Sequence, residues 1–397
     1  MPTRVVPREP MSVPSSQRVP AMAANTGASR LASAAATRHA AILRALALTA
    51  ALLCLGVVVL GAYVRLSNAG LGCPDWPGCY GHVTPLGAAA DAGSATAPAA
   101  FAATRPLEIG KAWREMVHRY AAGTLASLLV LIAALGFLWR RERIASPRYL
   151  AALVGIVVVQ AVLGMLTVTR QLTPVIVTLH LLFGLTTLSL LWWMVLTLWQ
   201  QHATADPSRG SSAPSAPDGV PDGVPAGGPL RTARTLALLG LLVLGLQIAL
   251  GGWTSSNYAA IACPDFPTCQ ASWWPSADFR SAFVLWHGLH IDYEGGILAG
   301  PARIAIHLTH RLGATAATLG LLAAALFCLR HSLPASVRRA AAGVLLLLAV
   351  QLSIGISMVL RGFPLWLATA HNAGAALLLL ATLTLNRQLR PAMPLAL

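Results

Sequence analysis

Eight long apolar segments constrain the fold of this chain more than any other feature. A helix needs roughly 20 residues to cross a hydrocarbon core about 30 Å thick. Backbone polar groups find no water partners in lipid, so segments of this kind must be helical rather than open sheet. The sequence therefore predicts an all-α polytopic membrane protein with eight transmembrane helices, near residues 41–64, 117–138, 149–169, 174–199, 233–253, 308–329, 339–360 and 365–385.

Composition agrees with burial in a lipid bilayer. Charged residues make up 10% of the chain and hydrophobic ones 56%, whereas a soluble domain carries about a quarter charged residues. The formal net charge of +15 does not indicate nucleic acid binding, because the basic residues are scattered between apolar runs instead of clustered with aromatics. Membrane orientation explains the basic residues better.

The basic residues predict the direction in which the chain crosses the membrane. If the N-terminus lies inside, the internal segments hold 18 basic residues and the external segments hold 8. The positive-inside rule then places both termini in the cytoplasm, and the first reading is a bacterial inner membrane. Residues 1–40 are interpreted as a disordered cytoplasmic tail. The alternative is an Arg-rich, acid-poor mitochondrial presequence and a mitochondrial inner membrane.

The second half of the sequence repeats the first. Several markers recur 190 to 192 residues apart: the loop from Cys73 to Cys79 with that from Cys263 to Cys269, His118 and Arg119 with His310 and Arg311, and His180 with His371. Each copy holds four helices, an even number, so both copies insert in the same orientation. This predicts two tandem four-helix bundles related by a pseudo-twofold axis along the membrane normal, unlike the inverted repeats of many transporters.

The repeat also divides the chain into domains. Residues 41–202 form the predicted N-terminal bundle and residues 232–397 the predicted C-terminal bundle. The segment 203–231 is rich in Pro, Gly, Ser and Ala, which is typical of a flexible linker.

Four histidines fall at matching ends of predicted helices. Within each half the two histidine-bearing helices run in the same direction, so their imidazoles lie at similar depth, which suits a haem held between two helices by two imidazoles. The alternative is a histidine bonded to a backbone carbonyl or to water. Zinc is disfavoured because each half offers two histidines, short of the four ligands of a structural site. The four are His118, His180, His310 and His371.

The two halves differ beside these histidines. Glu115 lies one helical turn before His118, and its counterpart before His310 is His307. A carboxylate in a half-dry pocket can act as a base or orient water, so the first half is predicted to do the chemistry and the second to hold a permanent electron-transfer haem. The alternative for Glu115 is a helix-start acid favoured by the macrodipole.

Two arginines directly follow repeat-related histidines. Arg119 and Arg311 are interpreted either as partners of haem propionates, because guanidinium matches carboxylate geometry, or as side chains that reach the lipid headgroups.

The external loops each contain a cysteine pair. Cys73 with Cys79, and Cys263 with Cys269, lie in the predicted oxidising compartment, so each pair is expected to form a disulfide. Closing so short a loop adds little entropic stabilisation, which leaves open whether the bonds are structural or redox-active.

Taken together, these residues resemble the haem A synthases, membrane enzymes of cytochrome oxidase assembly. The resemblance covers roughly residues 40–390 and rests on the run from Glu115 to Arg119, on the three other histidines and on the paired cysteine loops. It implies that the C8 methyl of haem O is oxidised to a formyl group by successive hydroxylations, giving haem A. His118 and His180 would bind the substrate haem, His310 and His371 a haem b cofactor, and Glu115 would be catalytic.

The resemblance also implies partners. These are haem O and the haem O synthase that supplies it, an electron acceptor that the sequence does not identify, and cytochrome oxidase assembly factors; a homo-oligomer stays open. Two rival functions remain at this point. One is a di-haem b-type cytochrome that passes electrons without modifying haem, and the other is a transporter, which the parallel repeat disfavours.

Overall fold

The computed structural model describes residues 21–91, 105–142, 144–205, 228–288 and 291–391. Within these ranges the chain is helical, and the only extended pairings are two isolated bridges in the cysteine loops. Ten α-helices are described: α1 (Ala21–Leu66), α2 (Pro85–Asp91), α3 (Ile109–Leu138), α4 (Pro147–Thr169), α5 (Pro174–Ala205), α6 (Pro229–Ser256), α7 (Phe279–Ala282), α8 (Gly300–Arg330), α9 (Ala335–Leu360) and α10 (Leu365–Gln388).

Eight of these helices are long and apolar enough to span a membrane, which confirms the predicted number of transmembrane helices. They are α1, α3, α4, α5, α6, α8, α9 and α10. Proline occupies the first turn of α4, α6 and α8, where its missing N–H is not needed by the helix. Two tight turns join α4 to α5 and α9 to α10, each closed by a left-handed residue, Leu172 and Phe363.

Neighbouring helices close a ring in each half of the chain. In the first half α1 contacts α3 and α5, and α4 also contacts both of these helices. In the second half α6 contacts α8 and α10, and α9 also contacts both of these. All four inter-helix loops with cysteines or tight turns lie at one end, here called the cysteine-loop face. The pseudo-twofold relation of the two rings stays a prediction.

The two halves pack side by side. α1 and α5 of the first half contact α10, and α5 also contacts α6. At the cysteine-loop face Arg105 donates to Asp292 at 2.6 Å and to Glu294 at 2.7 Å. Toward the opposite end the Trp192 indole donates to the Thr384 hydroxyl at 2.9 Å. The predicted halves are therefore held together at both ends.

The domain boundaries stay predictions, but helices extend into the predicted tail and the predicted linker. α1 begins at Ala21, so residues 21–40, expected to be disordered, are helical, and residues 1–20 lie outside the described residues. The Ala-rich sequence of this segment favours a helix. His39, near the end of the segment 21–40, forms a hydrogen bond with Glu142 at 2.7 Å. At the predicted linker, 203–231, α5 continues to Ala205 and α6 begins at Pro229; residues 206–227 are not described.

Candidate functional site

A large cavity lies inside the first ring of helices, toward the cysteine-loop face. Its volume is about 760 Å³, within the range of roughly 300 to 1,000 Å³ that ligand sites occupy. Most of its lining is aliphatic, and both His118 on α3 and His180 on α5 line it. The structure thus brings together the two histidines that the sequence assigned to the first half.

Close packing fixes the ring of His118. A Cβ built on Gly61 of α1 would lie 2.9 Å from Nε2 of His118, and the same construction on Gly164 of α4 reaches Cε1 of His180 at 3.5 Å. A side chain at residue 61 would therefore crowd the His118 ring, whereas a Cβ at residue 164 would make ordinary contact with His180. Nδ1 of His180 is buried without a hydrogen-bond partner.

Glu115 is buried at the cavity wall and connects α3 to the first cysteine loop. Its carboxylate accepts from the Cys73 backbone N–H at 2.8 Å and from Arg119 at 2.5 Å. It is the one acidic side chain among the described residues that line the cavity. The approach of loop and helix is tight, because a Cβ on Gly72 would lie 2.6 Å from the backbone carbonyl carbon of Lys111.

The guanidinium of Arg119 forms most of its hydrogen bonds with the cysteine loop. Besides Glu115, it donates to the carbonyls of Asp75 at 2.9 Å and Gly78 at 2.5 Å. Arg311 does the same in the second half, donating to Thr268 at 2.7 Å and Asp265 at 2.6 Å. Both arginines thus brace the loops, an arrangement that the sequence interpretation did not include.

The two cysteine loops share one internal design. Both pairs lie at disulfide distance with Cα atoms 4.7 Å apart, which confirms the predicted pairing distance. In each loop an aspartate accepts from two backbone N–H groups, those of Tyr80 and Gly81 for Asp75. In the second loop the Thr268 hydroxyl and two backbone N–H groups also lower the pKa of the Asp265 carboxyl.

The second half brings its two histidines together without a neighbouring acid. His310 and His371 lie close enough to interact electrostatically, and each packs against a glycine of the preceding helix, Gly251 or Gly355. At the position matching Glu115 the buried imidazole of His307 takes its place, and its Nδ1 has no hydrogen-bond partner. The difference between the halves that the sequence indicated is present in the structure.

Arg65 is a site residue that sequence reasoning missed. It lies at the end of α1 and lines the cavity, where its Nε is buried without a partner. Its Nη2 donates to the carbonyl of Ser255 at 2.8 Å, and its guanidinium lies 4.1 Å from the centroid of the Tyr258 ring. No local sequence pattern marks Arg65, because its partners lie in the second half of the chain.

Residues of the second half reach the first cavity as well. Gly252, Ser255 and Asn372 belong to its lining. Asn372 directly follows His371, so the wall of the first cavity is one residue away from a histidine of the second site.

The donor set fits a haem better than a bare metal ion. His118 and His180 line one largely apolar cavity of this size, and they would supply imidazole ligands to a haem iron while the apolar lining would suit the ring. Among the residues that the structure describes, no group of three or more His, Cys, Asp or Glu could hold a metal ion.

Comparison with known proteins supports a family assignment. A family model described as a cytochrome oxidase assembly protein, COX15-CtaA, matches residues 44–383. The haem A synthase of Shewanella oneidensis is 41% identical over 83% of this chain and 91% of its own length. That of Rhizorhabdus wittichii is 29% identical over 85% of this chain and 90% of its own. The chain belongs to the COX15-CtaA family of cytochrome oxidase assembly proteins, which includes the haem A synthases.

Proposed function

We propose that this chain is a haem A synthase, which oxidises the C8 methyl of haem O to a formyl group by successive hydroxylations. The observation that carries the proposal is the first cavity, where two histidines and one carboxylate meet in an otherwise largely apolar space. Family membership supports the same reaction, because relatives that match most of this chain are named haem A synthases.

The first half is the proposed substrate site. His118 and His180 would ligate the iron of haem O, and the aliphatic lining would exclude water from the ring and its tail. Glu115 would act at the cavity wall as a proton acceptor or water-orienting group, because its carboxylate is buried there and general bases must lie within hydrogen-bond reach of the reacting group. The bond to Cys73 fixes where the carboxylate points.

The second half is the proposed cofactor site. His310 and His371 would hold a haem b, which supplies one-electron redox chemistry when bound. His307 offers no carboxylate at the position of Glu115, which suits a site that transfers electrons without modifying its ligand. Asn372 at the wall of the first cavity keeps the two sites close, as electron transfer requires.

Arginines near the sites are proposed to bind carboxylates. Arg65 has a free buried Nε in the cavity and would bind a propionate of the substrate, since guanidinium pairs well with carboxylate. Arg119 and Arg311 remain proposed contributors at the substrate site and the cofactor site, respectively. Their bonds to loop carbonyls suit a role in which they act mainly by holding the loops over the haems.

Membrane placement and partners complete the proposal. The protein would lie in a bacterial inner membrane. The excess of basic residues on one side would place both termini on the cytoplasmic side and the cysteine loops on the outer side. Haem O would come from a haem O synthase, electrons would pass to a separate acceptor, and haem A would pass to cytochrome oxidase assembly factors.

Pigment extraction tests the proposed reaction. The chain is expressed in a host that makes haem O but no haem A, and haems are extracted from its membranes and identified by chromatography and mass. We expect haem A to accumulate only when the chain is present. A protein that binds haem b but leaves all haem O unmodified would instead be a di-haem cytochrome, and the proposal would be wrong.

A further inference from the structure

The helices that precede the four histidine helices share a small motif. Each has a glycine that faces the imidazole, and three of them have a glutamine four residues earlier. The glutamine pairs are Gln160 with Gly164 on α4, Gln247 with Gly251 on α6, and Gln351 with Gly355 on α9. On α1, four residues before Gly61, the residue is Val57.

Each glutamine bonds the histidine that its glycine faces. The side-chain amide donates to the histidine backbone carbonyl, from Gln160 to His180 at 3.2 Å, from Gln247 to His310 at 3.1 Å and from Gln351 to His371 at 3.1 Å. The α6 and α9 amides also reach the rings themselves. The contact atom is the amide nitrogen in both cases: Nε2 of Gln247 lies 3.1 Å from Nδ1 of His310, and Nε2 of Gln351 lies 3.3 Å from Nε2 of His371.

The other end of each amide has no partner. The carbonyl oxygens of all three glutamines are buried without a hydrogen bond, and so is Nδ1 of both His180 and His371. A buried acceptor without a partner is costly. A histidine that ligates a metal through one ring nitrogen almost always donates the other N–H to an acceptor, and a glutamine carbonyl is such an acceptor.

We propose that Gln160, Gln247 and Gln351 are positioning residues whose side-chain amides turn when haem binds, so that the carbonyl oxygen instead of the amide nitrogen faces the histidine and accepts its free ring N–H, and that Val57 leaves His118 without such a partner. The proposal rests on the proposed function, in which the first half binds substrate and the second half binds a resident haem. The second site then has two oriented imidazoles and the first has one.

This asymmetry matches the two fates of the haems. A resident cofactor has to stay through many turnovers, whereas the substrate haem must leave as product. Loss of an outer hydrogen-bond partner typically lowers metal affinity by about 10- to 100-fold. Val57 would therefore make the first-half haem the exchangeable one.

Substitution of Val57 tests the proposal on the intact protein. Val57→Gln places an amide into the cavity that Val57 lines, and Val57→Met is the control of similar length without an acceptor carbonyl. Haem is transferred from the purified protein to an excess of a haem-scavenging apoglobin, and the rate is followed by absorbance. We expect the Gln variant to release first-half haem about 10- to 100-fold more slowly than wild type, and the Met variant to release it at the wild-type rate.

The reverse substitution tests the second half. Gln247→Met should speed release of the resident haem and raise its midpoint potential, because an imidazole whose N–H has no acceptor donates less electron density to the iron. Gln247→Glu supplies an acceptor again and should restore the slow release and the lower midpoint potential. If Val57→Gln and Gln247→Met leave the haem release rates and the midpoint potential unchanged while haem is present in both halves, this inference is wrong and the proposed function still stands. If the first half of the wild-type protein binds no haem, the proposed function fails as well.

Discussion

At the residue scale, Glu115 combines a structural and a chemical position. Its carboxylate accepts hydrogen bonds from the Cys73 backbone N–H and from the Arg119 guanidinium, and Glu115 also lines the cavity. The sequence singled it out as a catalytic candidate from the repeat and the histidine spacing, and that role stays a prediction. Arg65 and the three glutamines escaped prediction, since single polar residues in apolar helices show no partner until the helices are packed.

Glu115→Gln is expected to separate binding from chemistry. The amide keeps the size and one acceptor oxygen but accepts no proton at neutral pH, so haem should still bind while haem O or a hydroxylated intermediate accumulates. Loss of general-base help typically costs about 10² to 10⁴ in rate, which haem extraction detects easily. Undiminished haem A would reduce Glu115 to a brace for the cysteine loop.

At the element scale, each cysteine loop is hydrogen-bonded to a transmembrane helix through an arginine, Arg119 on α3 or Arg311 on α8. The cysteine pairing was predictable from spacing and compartment. The bracing by Arg119 and Arg311 was not, because it depends on how far the loop folds back over α3 and α8. In the first half Gly72 also lies close to the backbone of α3 at Lys111, whereas the matching residue 190 positions later is Ala262.

Gly72→Ala should loosen the first loop. The added Cβ would lie 2.6 Å from the backbone of Lys111, so the loop has to shift and weaken the bond between Cys73 and Glu115. Overpacking of this kind typically costs about 1 to 3 kcal/mol, which thermal unfolding in detergent measures. Gly155→Ala is the matched control, because nothing lies within 4 Å of a Cβ there. Equal melting temperatures for the two variants would show that the loop tolerates the shift.

At the scale of the whole molecule, the number and order of the helices followed from hydropathy, and the internal repeat followed from spacing. The sequence did not indicate that second-half residues such as Ser255 and Asn372 line the first cavity. That juxtaposition depends on the packing of α1 and α5 against α6 and α10, for which no local pattern exists.

Thiol accessibility checks the proposed orientation. The four loop cysteines are paired and the other two, Cys54 and Cys328, are buried, so an added cysteine gives a clean signal. Ser276→Cys, in the exposed segment after the second cysteine loop, should react with a membrane-impermeant maleimide in intact cells, whereas Ser332→Cys, exposed at the other end of α8, should react only after the membrane is opened. The opposite pattern would invert the topology and place the cysteine loops in the cytoplasm.

The central claim is that the two halves hold different haems, and haem analysis of two purified histidine variants tests it most directly. His180→Ala should retain haem b and lack haem O and haem A, because only the first site is damaged. His371→Ala should lose haem b and retain unconverted haem O, because the electron path is cut while the substrate site is intact. The reverse distribution, or the same haem lost from both variants, would contradict the assignment of substrate and cofactor to the two halves.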